Sequence, residues 1–361
     1  MSINILRKNL HNEHILIIGS GVVGKFSALE LSKMGFKITI ADPIENKSCS
    51  RASLGILMGK IYQKRQGRSW LLRKQSIKSW ENWLKILKYH NHKLEIERPL
   101  FQLTTDTKKF EKLKNFVKNN PNDNLEIIER DSSLIKDVQS IFYGNTIQGI
   151  VSYDDGRINP NELLDSINIF LQKIHVNQIN EEIVKINKQK TQWVATTSNG
   201  VELTPDIIIL CNSLHSQKLI NLKKFDIEFK PLIGQAIELN CKSETIDFSS
   251  LPKVFSINGK NIIPVNAERI IIGSTDEKNS KPMKEKIKDL LYFLDNNPLW
   301  LIDKNIINKW YGVRSRPEGQ PSPVLKSLEK GLIICSGFYK NGILLAPGCA
   351  EWLKNEILKH L

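Results

Sequence analysis

Three glycines spaced as Gly19-Ser20-Gly21-Val22-Val23-Gly24 follow a short apolar run, His14 to Ile18, and precede residues with helical spacing. After a strand, the first glycine permits a tight turn, and the second lets the backbone approach a pyrophosphate. The third lets the helix pack on the strand. The helix start at Val22 and Val23 offers free N–H groups and a positive dipole to phosphates. Asp42 lies eighteen residues after Gly24, at the tip of a second strand pattern over Phe36 to Ala41. There its carboxylate can accept hydrogen bonds from ribose hydroxyls, and it argues against a 2′-phosphate and hence NADP. With Pro43 it also has a plain reading as a turn. The chemistry is dinucleotide binding, and NAD and FAD are both open at this point.

Other reactive residue types make weaker patterns. His90-x-His92 has no helpfully spaced carboxylate partner and reads as a helix-end loop rather than a metal site. His215, beside an apolar strand pattern, reads as a structural histidine. The five cysteines (Cys49, Cys211, Cys241, Cys335, Cys349) contain no CxxC pair. Neither a zinc site nor a disulfide framework is expected, which suits a reducing cytoplasm. No Ser-His-Asp or paired-carboxylate signature stands out.

At 361 residues, 40% apolar and 25% charged, the chain has globular composition and the length of two ordinary domains. No eighteen apolar residues run together, so no membrane span is expected. Met1 to His14 lacks an apolar run followed by a cleavage site, so export is not expected either. The net charge is +14, yet the lysines are interspersed with Glu, Asp and Asn. Even the densest cluster, Lys64 to Arg68 followed by Arg73-Lys74, reads as a solvated surface rather than a nucleic-acid groove. The positive field suits an anionic substrate or a cofactor phosphate.

The elements that must position the Gly-rich turn follow from periodicity. Val22 to Met34 has helical spacing and Gly35 sits where a helix stop belongs, so the chain opens as a βαβ unit. A long helix is expected over 69–89, and short strands with a charged helix near 107–119 over 94–150. Pro160 to Ile174 reads as a helix capped by Asn159. Trp193 to Thr197 and Val201 to Leu203 form a hairpin around Asn199-Gly200. Ile207 to Cys211 and Leu332 to Cys335 are fully apolar strands. Ile233 to Asn240, Val254 to Asn258 and Ile270 to Gly273 belong to a second sheet. Ala346 to Leu361 reads as a final helix with Pro347 in its first turn.

From His14 onward the chain resembles the D-amino-acid oxidase superfamily, within it the glycine oxidase and sarcosine oxidase branch. The match is carried first by the Gly-rich turn and Asp42, and second by Ser50-Arg-Ala-Ser-Leu-Gly55-Ile-Leu, similar to the loop leading to the flavin ring. Third comes Asp155-Gly-Arg-Ile-Asn-Pro160, and fourth Pro205 to Ser216, similar to the strand closing the FAD sheet. Fifth are Trp310-Tyr-Gly-Val-Arg314 and Ser336 to Pro347. Pro231-Leu-Ile-Gly-Gln235 and Ile272 to Glu277 are similar to landmark strands of the substrate domain. The resemblance implies an α/β fold in which a Rossmann-like FAD-binding domain (12–75, 145–225, 310–361) is interleaved with an α+β substrate domain (76–144, 226–309). The latter is built on a mostly antiparallel sheet.

It also implies roles. Arg314 matches the arginine that clamps the substrate carboxylate, where a planar fork is needed; Arg316, two residues on, is the alternative. Lys340 stands where glycine oxidases carry a second arginine. Gly19, Gly21, Val22, Val23, Gly24, Asp42 and Pro43 hold the adenosine half of FAD, and Ser50, Arg51, Ser53, Gly55 and Ile56 the approach to the flavin. Ile183 joins this set, as do Gly337, Lys340 and Asn341. Gly342, Ile343 and Leu344 direct backbone N–H groups to the flavin C2=O. The sequence departs from the branch at Asn261, where a tyrosine is usual, at Cys211-Asn212-Ser213 and at Glu318 to Pro323. Cys335 and Cys349 do not match a flavin-attaching cysteine, so noncovalent FAD is expected. The implied activity is oxidation of the C–N bond of a small amino acid by hydride transfer to flavin, with oxygen as acceptor and a place in thiamine biosynthesis. Two alternatives are a dehydrogenase with another acceptor and a flavin-binding protein whose substrate site has decayed.

Overall fold

The computed structural model describes residues 12–43, 48–241, 246–302 and 305–359. Most of the leader expectation at Met1 to His14, and the last two residues of the expected final helix, lie outside them.

The chain opens with β1 (His14–Ile18), α1 (Val22–Lys33) and β2 (Lys37–Ala41). Gly35 ends the turn after α1 with a φ of 88°, the left-handed conformation that favours glycine. Next come α2 (Gly67–Lys88), β3 (Leu100–Thr104), β4 (Leu125–Ile128) and β5 (Gln148–Ser152), with the charged helix over Thr107–Lys118 between β3 and β4. Helix α3 (Pro160–Lys173) starts as its cap dictates: Asn159 Oδ1 accepts the N–H of Asn161 at 3.0 Å. After β6 (Asn177–Ile179), the strands Ile183–Gln189, Gln192–Thr197 and Glu202–Leu203 make a small antiparallel sheet containing the expected hairpin. Then follow β7 (Ile207–Leu210), β8 (Phe229–Asn240), β9 (Val254–Ile257), β10 (Lys260–Pro264), β11 (Arg269–Gly273) and β12 (Asn305–Pro317). The chain ends with β13 (Val324–Glu329), β14 (Leu332–Ser336) and α4 (Gly342–Leu358).

Two sheets organise the molecule. One runs β13-β14-β7-β1-β2-β6, parallel except at the β13 edge. β7 therefore lies inside this sheet rather than closing it. Its apolar run follows from burial on both faces: Ile209 joins the core beneath α1 and α4, while Ile208 and Leu210 join the opposite core. Each such side chain contributes about 1.5–3 kcal/mol by leaving water. The second sheet runs β12-β8-β11-β10-β9-β3-β5-β4 and is antiparallel except for β9 with β3. The backbone ladder puts β5 and β12 in this sheet.

The last helix begins four residues earlier than its pattern suggested, at Gly342, so Pro347 lies inside it rather than in its first turn. Packing overrides the local rule. Trp80 Nε1 donates to the Leu344 carbonyl at 2.9 Å and Ser76 Oγ to that of Leu345 at 3.3 Å, holding the turn from α2. Gly348 allows the crossing, since a Cβ there would overlap Ser76 Oγ.

Candidate active site

The Gly-rich turn lies between the ends of β1, β2 and β7. Gly19 has a φ of 108°, and a Cβ on it would sit 2.7 Å from the Cys211–Asn212 backbone. A Cβ on Gly24 would overlap the Gly19 carbonyl oxygen, so helix and strand close only because both residues are glycine. The Asp42 carboxylate accepts the Ser20 N–H, and Ser50 Oγ accepts the Val22 N–H at 3.1 Å. Pro43 follows Asp42 and is half-buried. Lys25, which the motif does not single out, is buried beside this turn and donates to Ser20 Oγ at 2.6 Å and to Asn168 Oδ1 at 2.5 Å. Burial, opposed by Asp42, lowers its pKa to about 8.

The loop over Ser50 to Leu57 is fastened by the segment expected to return to it. Asp155 accepts the N–H groups of Gly59, Lys60 and Ile61 at 2.7–2.9 Å. Burial raises its pKa against those three donors. Arg157 donates to the Leu54 carbonyl at 2.9 Å and pairs with Glu97 at 2.7 Å. Gly55 has a φ of 76°, and a Cβ on it would overlap the Ile158 carbonyl oxygen. Ile56 packs towards Leu100, Ile150 and Val254 of the second sheet. Arg51 pairs with Asp165 of α3 at 2.7 Å, whereas Ser53 Oγ is buried without a hydrogen-bond partner.

The C-terminal motif meets the first one in space. A Cβ on Gly342 would lie 3.9 Å from Val22, so the N-termini of α1 and α4 are neighbours. Neither is capped by its own cap residue's side chain. The first bond of α4 runs from the Leu345 N–H to the Asn341 carbonyl, leaving the N–H groups of Gly342, Ile343 and Leu344 outside the ladder. Asn341 Oδ1 instead accepts from Arg73 at 3.2 Å. Arg73, which its basic neighbours place on a solvated surface, is instead 3% exposed, lies 3.8 Å from the Tyr62 ring, and also donates to the Met58 carbonyl. Its spacing was the available signal, because Leu72, Arg73, Ser76, Trp80, Trp83 and Leu87 share the buried side of α2. Arg65, from the same cluster, is tied to Asp123, Asn120 and the Lys60 carbonyl. Gly337 has a φ of 71°, and a Cβ on it would lie 2.6 Å from Phe229.

The second sheet turns its small residues towards the Ser50–Leu57 loop. Cβ atoms on Gly312 and Gly273 would lie 3.0 Å from Ala52 and 2.9 Å from Leu54, and Trp310 Nε1 donates to the Ala52 carbonyl at 3.0 Å. Alternation along β12 puts Trp310, Gly312 and Arg314 on this face. Arg314 is held from two sides, donating to Ser274 Oγ at 2.6 Å and to the Thr275 carbonyl at 3.2 Å. Its guanidinium lies over Gly234, where a Cβ would overlap it. Arg316 is exposed and faces the Tyr339 ring at 5.6 Å, so the two arginines occupy different settings. Lys340 donates to Asp276 at 2.8 Å. Asn261 pairs with Gly273 and Ser256 on the ladder of this same face.

Ile183 is buried in the core beneath β1 and β7. His90 stacks on Phe170 with centroids 4.6 Å apart, and His215 is exposed. Cys335 and Cys349 are buried in the core beneath α4. Among the described residues no group of three or more His, Cys, Asp or Glu is placed to hold a metal ion, and no helix is long and apolar enough to cross a membrane. The glycine cradle, the two adjoining helix N-termini and the orphaned Ser53 Oγ together fit an extended dinucleotide.

Residues 14–355 match the family model described as DAO, FAD dependent oxidoreductase. The chain belongs to this family. It is similar to a glycine oxidase of Pseudomonas putida, 29% identical over 160 residues, covering 43% of this chain and 42% of that protein. It is also similar to a bifunctional protein ThiO/ThiG of Synechocystis sp., at 24% identity over 95% of this chain and 51% of that protein. The chain thus spans about half the length of the curated relatives it matches. Among solved structures, a glycine oxidase from Bacillus cereus superposes with a TM-score of 0.81 at 19% identity, over 97% of this chain and 96% of that one. The chain thus shares the family of FAD-dependent oxidoreductases, and its fold joins a Rossmann-like parallel sheet to a mostly antiparallel second sheet.

Gly234 offers a direct check on this geometry. With Arg314 as the clamp that the resemblance implies, Gly234→Ala should raise KM for a carboxylate substrate about 10- to 100-fold, because the new methyl group displaces the guanidinium by an overpacking cost of about 1–3 kcal/mol. Steady-state kinetics alongside the flavin-to-protein ratio would check it: the ratio should stay at the wild-type value.

Proposed function

We propose that the protein oxidises the C–N bond of a small amino acid (glycine, sarcosine or a D-amino acid), with FAD held noncovalently and oxygen as acceptor. The observation that carries this reading is Arg314, a planar cation on the sheet face opposite the Ser50–Leu57 loop, held in place by Ser274 and Thr275. That setting suits bidentate capture of a carboxylate.

In this reading Gly19, Gly21, Val22, Val23 and Gly24 receive the pyrophosphate, with Asp42 and Pro43 at the ribose and Ile183 nearby. Ser50, Arg51, Ser53, Gly55 and Ile56 guide the flavin end. Gly337, Lys340 and Asn341 shape the approach to α4, and Gly342, Ile343 and Leu344 present N–H groups to the side of the ring that gains charge. FAD supplies the hydride acceptor. The residues of this chain bind the carboxylate, orient the Cα–H and stabilise charge, and a neutral amine requires no strong protein base. The cofactor domain then comprises 12–75, 145–225 and 310–361, with β5 and β12 lent to the sheet of the substrate domain, 76–144 and 226–309. Similarity to a ThiO/ThiG protein supports a place in thiamine biosynthesis as the source of an imine.

The test is an anaerobic visible spectrum of the purified protein. Flavin bands should be present and should bleach on adding glycine or sarcosine, then return on admitting air. Bands that persist with every small amino acid would refute the reading. Bleaching followed by recovery only with an artificial dye would move the acceptor from oxygen to a quinone or protein.

A further inference from the structure

A carboxylate of the protein stands beside the proposed carboxylate clamp. Asp276 lies just beyond β11 and is half-exposed. One of its oxygens accepts from Lys340 Nζ at 2.8 Å and from the Tyr339 hydroxyl at 3.1 Å. The other lies 3.7 Å from Arg314 Nη1, an ion pair beyond hydrogen-bond reach. Other charges nearby are Lys260, whose pKa is lowered first by burial and also by Lys340 and Lys286, Asp289, which pairs with Lys286 at 3.0 Å, Arg316, 5.6 Å from the Tyr339 ring, and Glu277, which accepts from Gln235 at 2.8 Å. Burial works to raise the pKa of Asp276, but Lys340, Tyr339 and Arg314 prevail and hold it below the ordinary carboxylate value.

The two cations are therefore unequal. Lys340 holds a short, direct ion pair with Asp276 that offsets its single point charge. Arg314 keeps donors to spare after bonding Ser274 and Thr275. We propose that Asp276 sets the charge class of the substrate by neutralising Lys340 beside Arg314, and so selects a monocarboxylic amine over a dicarboxylic one. A second carboxylate entering the site meets the Asp276 charge and finds Lys340 already paired. This inference rests on Arg314 being the carboxylate clamp.

The probes are two ethers that cannot be oxidised at nitrogen. Methoxyacetate mimics an N-methylated glycine, and diglycolate mimics the corresponding dicarboxylate. Their Kd values would be measured by calorimetry on the purified holoenzyme. Wild type should favour methoxyacetate. In Asp276→Asn the preference for diglycolate over methoxyacetate should rise at least tenfold, and the second substitution Lys340→Met should cancel that rise. Asp276→Ser, of different size at a half-exposed position, should behave as Asp276→Asn does. An unchanged ratio in both Asp276 variants overturns the inference, provided Arg314→Met loses methoxyacetate binding. If Arg314→Met binds methoxyacetate as wild type does, the clamp reading itself fails and this inference falls with it.

Discussion

Arg314→Met is expected to lower kcat/KM for a small amino acid by about 10²–10⁴-fold while leaving FAD bound. On the proposed reading the change removes two charge-assisted hydrogen bonds to a carboxylate, each worth about 1.5–3 kcal/mol, and about 1.4 kcal/mol corresponds to a factor of ten. Arg314→Lys should recover only part of the loss, because an ammonium keeps the charge but not the fork. Arg316→Met should have little effect, since that side chain is exposed and faces the Tyr339 ring. Kinetics on the three variants, each with its flavin content measured, would check the ranking. Equal losses at both positions would show that the two arginines act on the substrate together.

Gly24→Ala carries the second large effect, on the cofactor rather than the substrate. The added methyl would overlap the Gly19 carbonyl oxygen, and backbone on both sides leaves little room for relaxation. The overpacking cost is about 1–3 kcal/mol, concentrated at the seam that positions the N-terminus of α1. The variant should purify with a much reduced flavin-to-protein ratio and a lower Tm. Gly200→Ala is a useful control, because nothing lies within 4 Å of that position, although its φ of 87° still carries some strain. It should retain FAD. If Gly24→Ala keeps full flavin occupancy, the turn is not the pyrophosphate seat.

The cofactor half of the molecule was legible because its constraints are local. A tight turn, a close backbone approach and a helix packed on a strand each demand glycine within six consecutive residues, whatever the rest of the chain does. The apolar runs at β7 and β14 announced buried strands for the same reason. Asn159-Pro160 marked the start of α3 through a cap made by adjacent residues.

What the sequence did not show depends on contacts across long separations. Pattern alone placed the last helix at Ala346, since Pro347 belongs early in a helix. Trp80 and Ser76, over 260 residues away, hold the turn that lets it begin at Gly342. Arg73 sat in a run of basic residues and read as surface until α2 turned it inward against Tyr62 and Asn341.

The two candidate arginines were equivalent as i and i+2 on one strand; Gly234 of β8, with Ser274 and Thr275 just beyond β11, gives Arg314 the inward site. Asp276 was invisible as a member of that site, because Arg314 and Lys340 lie 38 and 64 positions beyond it. Residue types and near spacing thus determined that the chain would build a dinucleotide turn. Only the folded sheets decided which charges meet, because electrostatic pairing depends on separation in space and takes no account of distance along the chain.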